Sequence, residues 1–180
     1  MGKHREEVAR VTVADLAGGP LTLHVTCQPR DIDLSDEEFV FPDAISAEVH
    51  FELAGSEVRA WGRAVTVAVG RCVRCLGETR TVLEGRMEVL FEHNPDLLKP
   101  EIRNLGLEDG SVAYFDGEAV CADAEMRESL LLELPSLPLC REDCRGLCPK
   151  CGADLNAGSC GCPPEDGGGW KDALRQIKVQ

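Results

Sequence analysis

Alternation of apolar and polar residues dominates the first half of the chain. Leu21, Leu23, Val25 and Cys27 alternate with Thr22, His24, Thr26 and Gln28. A two-residue period turns one side of an extended segment to a core and the other to water, so this run predicts a half-buried strand. Ile45, Ala47, Val49, Phe51 and Leu53 repeat the pattern. Gly55-Ser56 reads as a turn. A second long strand follows over Val58 to Val69, Val/Ala-rich and nearly continuous in its second half. Thr79, Thr81, Leu83, Met87, Val89 and Phe91 define a strand leading away. Upstream, the apolar piece from Val8 to Val13 predicts an edge strand.

Past residue 94 the pattern changes. Asn94-Pro95, Lys99-Pro100, Asp109-Gly110 and Asp116-Gly117 are turn signals, and a short strand is expected from Ser111 to Phe115 between the last two. Over 121–134, Met126, Leu130 and Leu134 recur at i, i+4 and i+8 with Leu131 beside them. That spacing predicts a helix with Asp123 as its N-cap, stopped by Pro135 and Pro138. Trp170, Leu174 and Ile177 predict a short helix near the C-terminus, behind a linker of Pro163-Pro164 and Gly167-Gly168-Gly169.

Strands first and helices later predict an α+β fold. Its body is an antiparallel β-sheet or partly open barrel with a packed helix, followed by a C-terminal cysteine-rich zinc-binding tail. The expected division is a β-rich body over 1–135 including helix 121–134, the zinc-binding tail over 136–164, and a linker with a short helix over 165–180.

Composition narrows the function. At 180 residues the chain is long enough for one domain with a real core. Only eight aromatics are present, so the core is expected to be mostly Val, Leu, Ile and Ala. A formal charge of −13 opposes a broad electrostatic grip on nucleic acid or an anionic membrane. It favours solubility, or a basic partner. No apolar stretch approaches the roughly 18 residues of a membrane span. The opening Met-Gly-Lys-His-Arg-Glu-Glu has no apolar region behind it, so a secretory signal is not expected and the chain is read as cytoplasmic. The acidic run over 31–43 reads as a solvated loop, because it lacks the fixed ligand spacing of a calcium loop.

Six of the ten cysteines lie between Cys140 and Cys162. Cys148-Pro-Lys-Cys151-Gly152 has the form of a metal knuckle: Pro149 helps set a tight turn, and Gly152 permits the positive φ needed just after the second ligand. Four pairs, 72/75, 140/144, 148/151 and 160/162, fill two tetrahedral sites, the signature of structural Zn²⁺. Loop closure favours Cys148, Cys151, Cys160 and Cys162 as a local site. Cys72, Cys75, Cys140 and Cys144 then form a long-range site that clips the tail to the end of a hairpin. The other arrangement pairs 140/144 with 148/151 and 72/75 with 160/162. Iron is the rarer occupant of such knuckles. Disulfides are disfavoured in a chain without a signal peptide. Cys27 and Cys121 remain over as small buried or helix-start residues.

A redox dithiol at Cys72-Val-Arg-Cys75 competes with the metal reading. Such a dithiol wants a βαβ setting and a helix N-terminus, whereas this pair lies between strands. The histidines are scattered singly, and no Gly-x-Ser-x-Gly, Walker loop or Gly-x-Gly-x-x-Gly occurs. Small-molecule substrates and catalysis are therefore not expected.

One stretch runs against the acidic background. From Arg59 to Arg86 six arginines face two glutamates, a local balance of +4. Trp61 lies between Arg59 and Arg63 on one strand face, and Arg71 and Arg74 flank the hairpin-end cysteines. Arginines with an aromatic on a sheet can hold phosphates and stack a base. The simpler reading places the arginines on the wet face, paired with the acidic loop.

The ordered set of Arg71-Cys-Val-Arg-Cys-Leu76, then Arg127-Glu-Ser-Leu-Leu-Leu-Glu-Leu-Pro-Ser-Leu-Pro-Leu-Cys140, then Cys144-Arg-Gly-Leu-Cys-Pro-Lys-Cys-Gly-Ala-Asp-Leu-Asn156 and Cys160-Gly-Cys162 resembles the YceD-like family. These are the large ribosomal RNA subunit accumulation proteins of bacteria and plastids. The resemblance spans about residues 20–178 and is most specific from Arg127 to Cys162. It departs at Cys121, where an acidic helix-start residue is expected. It implies a cytosolic, non-catalytic factor for accumulation of large-subunit (23S) rRNA. Pre-ribosomal rRNA, a basic ribosomal protein, or both would be its partners. Rival readings are a thiol enzyme using Cys72 and Cys75, and a protein-only adaptor.

Overall fold

The long alternating runs pair into one sheet. The computed structural model describes residues 7–94 and 112–163. Strand β1 (Arg10–Thr12) leads into a single helical turn, α1 (Val13–Leu16). Strand β2 (Leu21–Cys27), a 3₁₀ turn (Pro29–Ile32), β3 (Ile45–Ala54), β4 (Glu57–Arg71) and β5 (Glu78–His93) follow. Then come β6 (Val112–Phe115), β7 (Ala119–Cys121) and helix α2 (Asp123–Leu132).

The main sheet has five strands in the order β2-β3-β4-β5-β6, and β1 pairs with β7 in a separate ribbon. Both are open, so the barrel alternative does not hold. The main sheet is also not purely antiparallel: β6 runs parallel to β5, with Leu90 opposite Val112 and His93 opposite Phe115. Gly55 adopts φ +69 in the two-residue turn that joins β3 to β4.

Period two sorts the faces. Val49, Phe51, Val58, Ala60, Ala64, Leu83, Val89 and Phe91 point inward and are buried. Helix α2 covers this face with Met126 and Leu130, both fully buried. The small inward side chains of β4 bring the helix close. Above Gly85 a Cβ would stand only 2.5 Å from the carbonyl carbon of Ser129.

The helix is shorter than the predicted 121–134. It begins at Asp123, and Cys121 ends β7 opposite Arg10. Asp123 is not the N-cap. Its carboxylate accepts the backbone N–H of Ala9 at 2.8 Å and of Val8 at 3.1 Å, and so staples the N-terminal ribbon to the helix start. This tertiary partnership replaces the local cap.

The acidic loop is partly a structural strap. Ile32, Leu34 and Phe39 are buried, and Val40 bridges to Val69. The Phe39 ring lies on Gly70, where a Cβ would meet it at 2.6 Å. The strap thereby braces the β4–β5 arm just before its tip. Ser111, Pro164 and the Trp170, Leu174 and Ile177 helix lie outside the described residues.

Candidate metal centres

The tip of the β4–β5 arm and the tail meet at four cysteines, and four more gather within the tail. The sulfurs of Cys72, Cys75, Cys140 and Cys144 lie within 4.8 Å of one another, as do those of Cys148, Cys151, Cys160 and Cys162. In the first cluster Cys72 and Cys144 approach to 3.7 Å, and Cys75 and Cys140 to 3.6 Å. This is the local-plus-long-range arrangement favoured by loop closure. The other arrangement is not the one the fold brings together.

Both knuckles fold alike. Leu76 N–H donates to the Cys72 carbonyl at 2.9 Å, and Gly152 N–H to the Cys148 carbonyl at 2.8 Å. Cys72 N–H reaches the Gly77 carbonyl, and Cys148 N–H the Ala153 carbonyl, each at 2.8 Å. The residue after the second cysteine is left-handed in both: Gly152 at φ +73, as its glycine predicts, and Leu76 at φ +60. A leucine there is strained.

The amides of each knuckle point at its sulfurs. Cys75 N–H leads the groups that pull the Cys72 thiol down to about 6, against burial. Cys151 and Lys150 N–H pull Cys148 down to about 6. Burial pushes Cys144 up, but Asn156 and Gly146 outweigh it and leave it lowered. The thiols of Cys75, Cys140 and Cys162 move the other way. Cys140 is pushed up to about 12, first by Cys144, and Cys162 to about 12, first by Cys151. Four thiolates this close repel, and a cation among them removes the conflict. The donor sets therefore fit a thiolate-bound metal ion: each cluster offers four sulfurs and no oxygen or nitrogen ligand.

The tail is held to the arm by backbone groups as well. Val73 N–H donates to the Pro138 carbonyl at 2.9 Å, and Leu147 N–H to the Arg74 carbonyl at 3.0 Å. Arg74 Nη1 donates to the carbonyls of Cys144 at 2.9 Å and Glu142 at 3.3 Å. The Arg74 guanidinium thus clamps the tail, a use that spacing alone did not reveal. Cys27 is buried. Cys121 is half-buried, and burial pushes its thiol up to about 12. Neither belongs to a cluster.

The other arginine-rich residues separate into groups. Arg59, Trp61 and Arg63 share the outer face of β4. The His50 ring stacks on Trp61 at 5.4 Å, and Arg59 sits 5.2 Å from the Trp61 ring centre. Arg59 pairs with Glu88 at 2.5 Å, and Arg63 with Glu84 at 3.8 Å. Arg80 pairs with Asp43 at 3.7 Å, the one ion pair of this group made with the acidic loop among the described residues. An open hollow on this face is lined by Glu48, His50, Trp61, Arg63, Glu84 and Arg86, among others. Arg71 lies eight residues beyond Arg63, about 26 Å along the strand, past Val65, Val67 and Val69. The local +4 is thus interleaved with glutamates and split along the arm.

The profile of a family described as "Large ribosomal RNA subunit accumulation protein YceD" matches residues 61–178, which takes in both clusters. An uncharacterized protein of Mycobacterium tuberculosis is 31% identical over 111 residues, covering 62% of this chain and 51% of the relative. One of Mycobacterium bovis aligns equally, and one of Mycobacterium leprae is 26% identical over 111 residues. The chain spans about half the length of the curated relatives it matches. No solved structure matches it. Among the described residues no helix is long and apolar enough to cross a membrane.

Proposed function

This chain belongs to the family of large ribosomal RNA subunit accumulation proteins, and from that membership we propose that it supports accumulation of large-subunit (23S) rRNA as a non-enzymatic assembly factor. The observation that carries the reading is the family match over residues 61–178. The factor works in the cytoplasm. Its partners are pre-ribosomal rRNA, a basic ribosomal protein, or both.

Each cluster holds one structural Zn²⁺. Four cysteine sulfurs per cluster support this, because catalytic zinc keeps an open position and usually a histidine or carboxylate beside it. When bound, the ions neutralise the crowded thiolates and lock the tail across the arm. Residues 72–75 and 140–144 then act as a clip between a sheet and a segment that has little apolar core of its own.

A basic protein is the partner that the charge distribution favours. The chain carries −13, and Glu84 and Glu88 are interleaved with the arginines of the outer face.

The test of function is a depletion strain complemented by the gene. Mature 23S rRNA falls on depletion and returns with the wild-type chain, and an unchanged 23S level on depletion rejects the reading. The test of zinc is elemental analysis beside thiol labelling. Two zinc per chain with unreactive Cys72 and Cys75 supports two closed sites. One zinc with both thiols reactive favours a redox dithiol instead, and iron in place of zinc corrects the metal.

A further inference from the structure

The two cysteine clusters are tied together by one amide. Asn156 lies in the loop between Cys151 and Cys160 of the second cluster. Its Nδ2 stands 3.5 Å from the Cys144 sulfur of the first. The same Nδ2 donates to Asp154 Oδ1 at 2.8 Å. Asn156 Oδ1 accepts Arg145 N–H and Arg141 Nη2, each at 2.8 Å. The amide therefore has two acceptors at its nitrogen and two donors at its oxygen. A flipped amide would set donors against donors, so this network fixes its orientation and aims an N–H at the sulfur.

The loop that carries Asn156 is itself set from both sides. Leu155 N–H donates to the Gly146 carbonyl at 2.9 Å, Asp154 bridges to Leu147, and Cys148 N–H holds the Ala153 carbonyl. Its far end reaches Cys160 and Cys162, whose sulfurs lie within 4.8 Å of those of Cys148 and Cys151.

We propose that Asn156 is a positioning residue that couples the two metal sites: closing the second cluster fixes the loop, and the loop presents Asn156 Nδ2–H to the Cys144 ligand of the first. The inference rests on both clusters holding a metal ion. Partners that orient a metal ligand through a hydrogen bond change metal affinity by roughly 10- to 100-fold. Coupling of this kind is reciprocal, so each ion tightens the hold on the other.

The experiment follows zinc transfer from the full-length, zinc-loaded protein to a chelating dye, after elemental analysis of each preparation. Asn156→Ala is expected to speed release from the first cluster about tenfold or more. Asn156→Asp keeps the oxygen that holds Arg141 and Arg145 but places an anionic oxygen beside Cys144. It is expected to release zinc at least as fast as Asn156→Ala, whereas a residue that only held the arginines would be rescued. Opening the second cluster with Cys148→Ser and Cys151→Ser also speeds release from the first, and adding Asn156→Ala to that variant speeds it no further.

Release from the first cluster within twofold of wild type in Asn156→Ala overturns the proposal while leaving the metal sites standing. So does rescue by Asn156→Asp, or multiplication of the two effects. A wild-type chain holding fewer than two ions overturns the metal reading and the coupling with it.

Discussion

Ser129 rests directly on Gly85. The hydroxyl of Ser129 turns back to the Met126 carbonyl at 2.9 Å, and a Cβ on Gly85 would lie 2.5 Å from the Ser129 carbonyl carbon and 2.7 Å from its oxygen. The Ser129 hydroxyl oxygen would also lie at 2.6 Å, but the other two atoms are helix backbone, which cannot swing aside as a side-chain tip can. Gly85→Ala must therefore lift α2 off β5. Overpacking of this kind costs about 1–3 kcal/mol, and the entropy that alanine removes from the unfolded chain returns only about 0.4–1. Urea unfolding of the metal-loaded protein is expected to show a lower midpoint with an unchanged slope. A midpoint equal to wild type would mean that the helix has room to spare.

Leu76 occupies a position where its counterpart in the other knuckle is glycine. Its φ is +60, and its side chain is 57% exposed, so little burial offsets the strain. Leu76→Val puts a β-branched residue into the left-handed region and is expected to cost about 1–2 kcal/mol. Leu76→Gly relieves the strain but loosens the unfolded chain, and should stay within about 1 kcal/mol of wild type. The pair of unfolding midpoints checks this, and equal loss in both variants would point to a packing role for the leucine.

Glu125 supplies a pH signature. Its Oε2 is buried with no hydrogen-bond partner among the described residues. Burial pushes the carboxyl above its ordinary value, with Glu128 and Asp123 adding to the effect. The folded state then binds the proton more tightly than the unfolded chain. Its favourable contribution is complete below the unfolded-state value and is lost as pH rises through the folded one. Glu125→Gln is expected to be more stable than wild type at pH 7, with the advantage shrinking toward pH 4. Parallel stability curves across that range would place Glu125 in water.

What the sequence disclosed follows the range of each interaction. Strands β2 to β5 were legible because burial on one face writes a two-residue period along the chain. The knuckles were legible because two ligands of each site lie three residues apart, and the pairing of the clusters because loop entropy ranks the options. Strand β6 was legible as the short run ending at Phe115, but its parallel pairing with β5 was not, since pairing across residues 95–111 leaves no local mark. The start of α2 was misplaced because Asp123 has the chemistry of a cap but spends it on Val8 and Ala9, more than a hundred residues away. Asn156 escaped notice for the same reason: its partner belongs to the other cluster.

Arg74 is an exposed arginine with a structural task. Flanking a cysteine pair in a basic stretch, it read as a candidate RNA contact beside Arg71. Both arginines are exposed, but the Arg74 guanidinium also holds the Cys144 and Glu142 carbonyls. Hydrogen bonds to a charged donor contribute about 1.5–3 kcal/mol, less where water competes. Arg74→Ala is therefore expected to expose the tail. Backbone amides over 139–148 should exchange faster with deuterium, and a chelator should strip the first cluster sooner, while the sheet core keeps its protection. Arg71→Glu should change neither reading. If it lowers association with large-subunit particles and Arg74→Lys does not, the arm tip meets its partner through Arg71 alone. Equal exchange in Arg74→Ala and wild type would mean that the cysteines hold the tail without the clamp.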